Sequence, residues 1–371
     1  MTRPKKIAIV GAGIAGMALG ILATRQGHQV SLFERGRNVS DMGAGVTLWP
    51  NAMFVMHKMG LDEKIKQTGG VPCMMRQFDR NGCLQTQFDI SAVNSLCGFP
   101  SVTVLRRELM GLLASAFASL GREITFNRAI SAADVMKLSQ AFDLVVGADG
   151  RMNSVVRQAL YSEEVTPRYH GFVNVIGVAR QPKCLLNNAI DDFRGQGERF
   201  GIVPVKNEWC YWAGAWNTPA DNKFSQAYWY DELNQRFQDW PEPVRKVLLS
   251  CDRASVKGIL VHDVDPLPFW HKDNVLLIGD AAHASLPTSG QGACQALEDA
   301  WRLTCILEEI EDPVIALQHF YHQRHSKTAA AQLVGRQLAK KIFSEQPEPL
   351  LPASTVSVAQ LSQFWMQGLN L

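Results

Sequence analysis

Gly11, Gly13 and Gly16, in "GAGIAG", with Glu34 placed 21 residues beyond Gly13, have the types and spacing to hold a dinucleotide. The first glycine permits a tight turn, the second lets a pyrophosphate approach bare backbone, and the third lets a helix pack closely on the preceding strand. Amides and dipole at the helix N-terminus then hold the phosphates. Glu34 is placed to accept hydrogen bonds from the adenosine ribose. An acid there disfavours a 2′-phosphate, so the spacing suits FAD or NAD rather than NADP. Arg35 is equally an outside contact for an NADPH phosphate and an exposed surface charge.

A second stretch, "GDAAHASLPTSGQGACQALEDA" (279–300), begins as the end of a buried strand, passes through small residues and becomes a helix. Asp280 at the strand end can accept hydrogen bonds from the hydroxyls of a polyol chain. Pro287 bends the loop and removes one donor. Gly290 and Gly292 let a flat ring lie against backbone, while the helix start points free amides at it. A flavin needs this arrangement, because reduction places negative charge on its N1 and C2-oxygen region, where a helix N-terminus stabilises it.

Both stretches need a strand behind them and a helix ahead. Lys6–Val10 is expected to be a strand, followed by a helix to about Gln26 and a strand "QVSLFER" from Gln29, one βαβ unit. Residues 7–23 are uncharged and follow Arg3, Lys5 and Lys6, which mimics a signal peptide or short membrane span. Their four glycines suit a turn and close packing better. A helix is expected at 52–59, then alternating strands around Asn81-Gly82, a dipeptide favouring a type I′ turn. Helical periodicity returns at 105–120, and "FDLVVGADG" (142–150) and 275–278 read as buried strands. From 166 to 261 the chain is strand-rich, with "VNVIGVA", "RFGIVPV" and "WCYWAGAW", broken by one helix near 228–237. Long helices run on to about Phe343. After the Pro-rich "SEQPEPLLPAS", "VSVAQLSQFWMQGL" is expected to be a docked terminal helix.

Segments of α/β and β-rich character thus alternate, as expected for two interleaved domains. The expected division is 1–71, 101–165 and 262–343 for a nucleotide-binding domain, 72–100 and 166–261 for a substrate domain, and 344–371 for a tail. A chain of 371 residues with 46% hydrophobic and 19% charged residues can bury such cores. Lys plus Arg is 37 against 35 for Asp plus Glu, and a formal charge of +2 gives no electrostatic case for nucleic acid. Eight scattered cysteines show no metal-ligand spacing, so no metal is expected and free thiols in a reducing cytoplasm are.

"GAGIAG" with Glu34, "GADGRMNSVVR" (147–157) and the 279–300 stretch, in that order, resemble the single-component FAD-dependent aromatic hydroxylases, the p-hydroxybenzoate hydroxylase type of flavoprotein monooxygenase. "GAGVTLWPNA" (43–52), "LRRELMGLL" (105–113) and "DPLPFWHKDNVLLIGDAAH" (265–283) agree as well. The resemblance implies an α/β fold: a glutathione-reductase-like, Rossmann-type FAD domain, an interleaved β-sheet substrate domain roofing the flavin, and C-terminal helices. It implies that Gly11, Ala15 and Glu34 hold the ADP half of FAD, with Ile130 near the adenine. Thr47 and Arg106 would meet the diphosphate and ribityl region, and Asp280 the ribityl hydroxyls. Gly290, Gln291, Gly292, Ala293 and Cys294 would surround the isoalloxazine, while Asp149 and Gly150 belong to a second fingerprint linked to FAD and nicotinamide use.

With one dinucleotide fingerprint present, NADH or NADPH is expected to bind transiently and reduce the flavin. Oxygen, as co-substrate, would then form a C4a-hydroperoxide attacked by a small electron-rich aromatic or heteroaromatic ring. Arg199 and Tyr211, on hairpin partners, resemble the substrate-binding pair of the urate hydroxylase branch. They are equally a plain pair on a sheet surface. His283 reads as a structural hydrogen-bonder rather than a base. The rival substrates are larger polyketide, antibiotic or isoprenoid-like molecules. The rival class is a non-catalytic dinucleotide-binding sensor, which would leave 279–300 without purpose. Neither a membrane span nor a nucleic-acid partner is expected, and the state is monomer or homodimer.

Overall fold

The computed structural model describes residues 3–39, 43–180, 188–220, 224–344 and 357–369. Cys184 and most of the Pro-rich segment lie outside them. Along the chain, β1 (Lys6–Val10), α1 (Ile14–Arg25) and β2 (Gln29–Phe33) form the opening unit. Next come β3 (Gly45–Leu48), α2 (Pro50–Lys58), α3 (Asp62–Thr68) and the hairpin β4 (Met74–Asp79) and β5 (Leu84–Asp89). These lead through α4 (Ile90–Cys97) to β6 (Val102–Leu105), α5 (Arg106–Ser119), β7 (Ile124–Thr125), α6 (Ala132–Ala141), β8 (Leu144–Gly147) and α7 (Val155–Leu160). The β-rich stretch holds β9 (Arg168–Arg180), β10 (Ala189–Arg194), β11 (Glu198–Pro204) and β12 (Trp209–Asn217). After α8 (Gln226–Phe237) and α9 (Glu242–Leu249) come β13 (Lys257–Asp263), β14 (His271–Lys272) and β15 (Val275–Leu277). Four helices finish the described chain: α10 (Asp280–His283), α11 (Gly292–Glu309), α12 (Pro313–Phe343) and α13 (Val358–Met366).

Two sheets organise the molecule. The first runs β14-β15-β8-β1-β2-β7, all parallel except the edge strand β14. Its central strands are apolar and covered on both faces, which is why they read as unbroken runs. Helix α1 is buried from Ile14 to Ala23 with almost no polar face, as a helix enclosed on all sides must be. No helix among the described residues is long and apolar enough to cross a membrane, so the apolar 7–23 stretch is a strand, a turn and an enclosed helix.

The second sheet runs β13-β9-β12-β11-β10-β4-β5. Alternation divides its faces: along β12, Cys210, Trp212 and Gly214 are buried while Trp209, Tyr211 and Ala213 are partly open. The buried face joins Phe200, Ile202, Trp212 and Trp216 to Trp229, Leu233 and Phe237 of α8 and Val244, Val247 and Leu248 of α9. Trp212 is wholly buried, stacked on Phe200 at 5.7 Å. The other face looks toward the first sheet.

The hairpin at Asn81-Gly82 differs from the expected turn. Gly82 alone is left-handed, at φ +87, and its amide donates to the Asp79 carbonyl. Asn81 is not at positive φ, so the turn is not type I′. It is a type I turn closed by a glycine bulge: the Asp79 carboxylate accepts from the Asn81 and Cys83 amides and stabilises that alternative. The stretch 166–261 also holds a second helix, α9, beyond the one expected at 228–237. "VSVAQLSQFWMQGL" is a docked helix, its start fixed by a Ser357–Gln360 capping box and its Trp365 and Met366 buried.

Trp212→Ala should cost about 3–5 kcal/mol through loss of a fully buried indole. Urea denaturation would register it as a lower midpoint with an unchanged slope, and an unshifted midpoint would show that this layer does not hold the sheet.

Candidate active site

The carboxyl ends of β1, β8 and β15 meet around one crevice, the position where open parallel sheets bind ligands. Gly11 ends β1 at φ +103, and its amide donates to the Phe33 carbonyl at 2.8 Å. A Cβ on Gly16 would lie 1.9 Å from the Gly11 oxygen, whereas one on Gly13 would meet nothing within 4 Å. Helix and strand are therefore in contact on one side and open on the other. Ala15, in the first turn of α1, is buried behind that opening. Glu34 sits beside the turn, accepting from the Ala12 amide at 2.9 Å and the Gly36 amide at 2.8 Å. Arg35 is exposed. Ile130 is buried, two residues past Arg128, whose amide donates to the Glu34 carbonyl.

The middle fingerprint acts mostly as a brace. Asp149 accepts from Ser154 Oγ at 2.6 Å and from the Val155 amide at 2.7 Å, capping α7. Burial raises its pKa, against those hydrogen bonds. Gly150 turns at φ +85. Arg157, 3% exposed, donates to the Ala281 carbonyl at 3.0 Å and the Arg151 carbonyl at 2.5 Å. It ties this segment to the Asp280 turn, a role that the residue spacing alone did not show.

Three charges converge at the mouth. Asp280, 43% exposed at its side chain, lies 4.0 Å from Arg151. Arg106 opens α5; burial lowers its pKa, opposed by Asp280 and helped by Arg151. The Nε atoms of Arg106 and Arg151 are buried without a partner, as is Gln291 Nε2. Gln291 stands immediately before the first turn of α11, whose amides have no intrahelical acceptor. Two guanidiniums, a carboxylate and free amides suit a diphosphate, a ribityl chain and the electron-rich end of a flavin respectively, so these residues fit FAD.

The late turn holds its shape through distant partners. Pro287 and Gly290 are exposed, Gly292 and Ala293 partly so, and Gln291 and Cys294 are buried. The Cys294 thiol faces the Thr47 carbonyl at 3.6 Å, and burial pushes its pKa up to about 12. It packs the turn against β3. His283 is 4% exposed, with Nε2 2.6 Å from Asp299. Asp299, completely buried, also accepts from the Gly279 amide at 2.8 Å and from Arg324 Nε at 2.8 Å. Burial opposes its charge, but His283 and Arg324 outweigh that and hold its carboxyl below the ordinary range.

Arg199 and Tyr211 share the open sheet face, yet their rungs differ. Arg199 pairs with Ala215 and Tyr211 with Val203, roughly 13 Å apart by strand rise. Arg199 Nε donates to Asp192 at 2.5 Å, and Arg194 Nε to the same carboxylate at 2.7 Å. Burial works against the charged form of Asp192, but Arg199 and Arg194 outweigh it and lower its pKa. Tyr211 Oη lies 2.7 Å from Thr47 Oγ1, and a Cβ on Gly45 would strike the Tyr211 ring at 2.0 Å. Thr103, opposite Thr47 on β6, donates to the Pro204 carbonyl. The hairpin end of β11 and β12 therefore sits on the β3–β6 ribbon. Asp192, which anchors Arg199, was not singled out from sequence; an Asp191-Asp192 pair in a strand carries no motif.

Such a crevice, closed by a late glycine turn and roofed by a second sheet, defines a dinucleotide-binding flavoprotein. The chain belongs to the FAD binding domain family, whose model matches residues 5–333. It is an FAD-dependent monooxygenase of the flavin aromatic hydroxylase class. Among its relatives, Aurachin C monooxygenase/isomerase of Stigmatella aurantiaca is 29% identical over 83% of this chain and 82% of that protein. FAD-dependent urate hydroxylase of Klebsiella pneumoniae is 27% identical over 86% and 85%. 6-hydroxynicotinate 3-monooxygenase of Bordetella bronchiseptica is 28% identical over 92% and 94%. The crystal structure of Klebsiella pneumoniae HpxO complexed with FAD and uric acid is similar with a TM-score of 0.82 and 24% identity, covering 92% of this chain and 90% of that one.

Asp299→Asn should cost roughly 3–5 kcal/mol, because it leaves buried Arg324 and His283 without their anion. The Asp299 carboxyl is depressed in the folded state, so its contribution is fully present above the unfolded carboxylate pKa and is lost as pH falls through the folded value. Denaturant midpoints of the two proteins should converge in the acid range; parallel curves down to pH 3 would contradict this role.

Proposed function

We propose that the enzyme hydroxylates a small aromatic or heteroaromatic substrate bearing a carboxylate or ring carbonyl, using NADH or NADPH as transient reductant and molecular oxygen as co-substrate. The observation that carries this reading is the polar strip on the open face of the second sheet. There, two guanidiniums share one carboxylate, Asp192, leaving a net positive charge on that face. Arg199 has N–H groups beyond the one given to Asp192, and charge-assisted hydrogen bonds from them suit an oxygenated ring. The urate, 6-hydroxynicotinate and 3-amino-4-hydroxybenzoate monooxygenases among the relatives support it.

FAD, once reduced, supplies the oxygen activation, and the chain supplies position and shelter. Arg106 and Arg151 would neutralise the diphosphate region, Asp280 would accept from ribityl hydroxyls, and the α11 amides would face the electron-rich pole of the ring. Glu34 would exchange its own-loop amides in part for ribose hydroxyls. Tyr211, packed on Gly45 and Thr47, would seal the sheet onto β3 and exclude water. Arg199 would orient the substrate. His283 is committed to Asp299, and no base is assigned. The reading includes the division into an FAD-binding part (1–71, 101–165 and 262–343), a substrate part (72–100 and 166–261) and a tail. It also includes a cytoplasmic location, in keeping with the free thiols of the described cysteines.

The test is NAD(P)H consumption in air across purines, hydroxypyridines and phenolic acids, with mass spectrometry for a product heavier by one oxygen atom. At least one small ring should stimulate consumption and gain oxygen. Arg199→Gln should lower kcat/KM for it by roughly ten- to hundredfold, the worth of a hydrogen bond to a charged group. If only larger polyketide, antibiotic or isoprenoid-like molecules were oxygenated, the same machinery would serve a different substrate class and this reading would fall.

A further inference from the structure

We propose that the C-terminal helix α13 is a brace for the flavin-facing turn, and that Trp49 and Trp365 are positioning residues setting how strongly reduced flavin is favoured over oxidised flavin. The inference rests on FAD as cofactor and not on the identity of the substrate. Helix α13 lies beyond residue 333, where the family match ends, yet two routes lead from it to the turn.

The first route is aromatic. Trp365 is 6% exposed and packs on Trp49, itself 7% exposed, with ring centroids 4.9 Å apart at 34°. The Trp49 indole Nε1 donates to the Gly290 carbonyl at 3.0 Å. Gly290 is left-handed at φ +63, and a Cβ there would sit 3.1 Å from Trp49 Nε1. Holding that carbonyl fixes the plane of the peptide joining Gly290 to Gln291, because the amide is rigid.

The second route is ionic. Lys327 Nζ donates to the Trp365 carbonyl at 2.7 Å and the Gln367 carbonyl at 3.1 Å, satisfying the end of α13. The same ammonium binds both oxygens of Glu298, at 2.9 and 2.8 Å. Glu298 Oε1 accepts from Asn51 Nδ2 at 2.7 Å and Gln295 Nε2 at 3.1 Å. These two donors also reach Gln291 Oε1, at 3.0 and 3.1 Å. Gln291 is the residue before the first turn of α11, and its Nε2 is buried without a partner.

Both routes end at Gly290 and Gln291, which aim the first amides of α11. A helix N-terminus stabilises negative charge only within its first turn, so small changes in that aim act on the charge that appears when flavin is reduced. Loosening the turn therefore weakens the reduced form more than the oxidised form.

The test uses the full-length holoenzyme with Trp49→Phe, Trp365→Ala, Trp365→Phe and the double variant Trp49→Phe/Trp365→Ala. Three quantities are measured: FAD affinity by flavin fluorescence, midpoint potential of the bound flavin by dye equilibration, and melting temperature of the apo-protein. Trp49→Phe keeps a ring and removes the donor; it should shift affinity away from reduced flavin by about two- to fivefold, seen as a more negative potential. Trp365→Ala should do the same, Trp365→Phe should restore most of it, and the double variant should be no worse than the larger single effect. An unchanged potential in both single variants, with only the melting temperature lowered, would reduce α13 to ordinary packing and overturn the proposal. Effects that multiply in the double variant would overturn it too, by showing that the two indoles act apart.

Discussion

A buried carboxylate fixes where the first sheet hands over to the helices that follow it. Asp299, with no exposed surface, accepts from the Gly279 amide, faces His283 and pairs with Arg324. An isolated carboxylate in such a place would be costly by many kcal/mol, so the donors and the acid require one another. Their sources differ: Gly279 follows β15, His283 ends α10, Asp299 lies in α11 and Arg324 in α12. One anion thereby fixes where a strand of the first sheet ends and where the helices after it begin. Gly279 itself takes φ +58 with ψ −143, a conformation open to glycine, and this kink turns Asp280 out toward Arg151 while His283 turns inward.

The second sheet is located by contacts that leave little room for sliding. Gly45 leaves space for the Tyr211 ring, Thr47 meets the Tyr211 hydroxyl and Thr103 meets the Pro204 carbonyl. At the other end, Phe172, Ala215 and Val261 pack with Ile342 and Phe343 of α12 and with Leu286 of the late loop. Asn217 adds a hydrogen bond to the Phe343 carbonyl at 2.9 Å. The sheet is thus gripped at both ends, by β3 near the hairpin and by α12 near the loop, with Arg199 on the same rung as Ala215 at the α12 end. Helix α12, 31 residues long and so roughly 46 Å, is long enough to connect the Asp299 network to this second grip.

Sequence made the parallel sheet legible because its strands are short apolar runs and its turns carry glycines whose roles are steric. Gly11, Gly16 and Gly290 stand where close approach or positive φ demands them. The second sheet was legible as strands, and the alternation along "WCYWAGAW" placed Trp212 and Tyr211 on opposite faces, as found. Register was not legible: Arg199 and Tyr211 looked like neighbours, but hairpin pairing sets them four rungs apart. The turn at Asn81-Gly82 differs because the dipeptide rule ignores Asp79, the first residue of the turn, whose carboxylate organises the loop. Strand β10 and helices α3, α4, α6, α7 and α9 were missed, none of them longer than ten residues. The Lys327–Glu298–Asn51–Gln291 chain was not legible as a chain: Asn51, Gln291 and Glu298 lie in quoted motifs, but nothing in sequence shows that residues from three helices and the turn before one of them meet.

The cations of the helical layer and those of the crevice mouth differ in how their hydrogen bonds are met. Deep in the helical layer, Arg324 gives Nε to Asp299, Nη1 to Glu298 and Nη2 to Gln295, and Lys327 is held by a carboxylate and two carbonyls. Those cations have their partners within the fold and are unavailable to a ligand. At the crevice mouth the balance reverses: Arg106 Nε, Arg151 Nε and Gln291 Nε2 are buried and unpartnered. The same chain that satisfies one set of cations so fully leaves the other set short of acceptors, and both guanidiniums of that second set stand beside Asp280, one carboxylate for two cations. An anionic, acceptor-rich molecule entering between the first glycine turn and α11 would supply those acceptors, and the diphosphate and ring oxygens of FAD are acceptors of that kind.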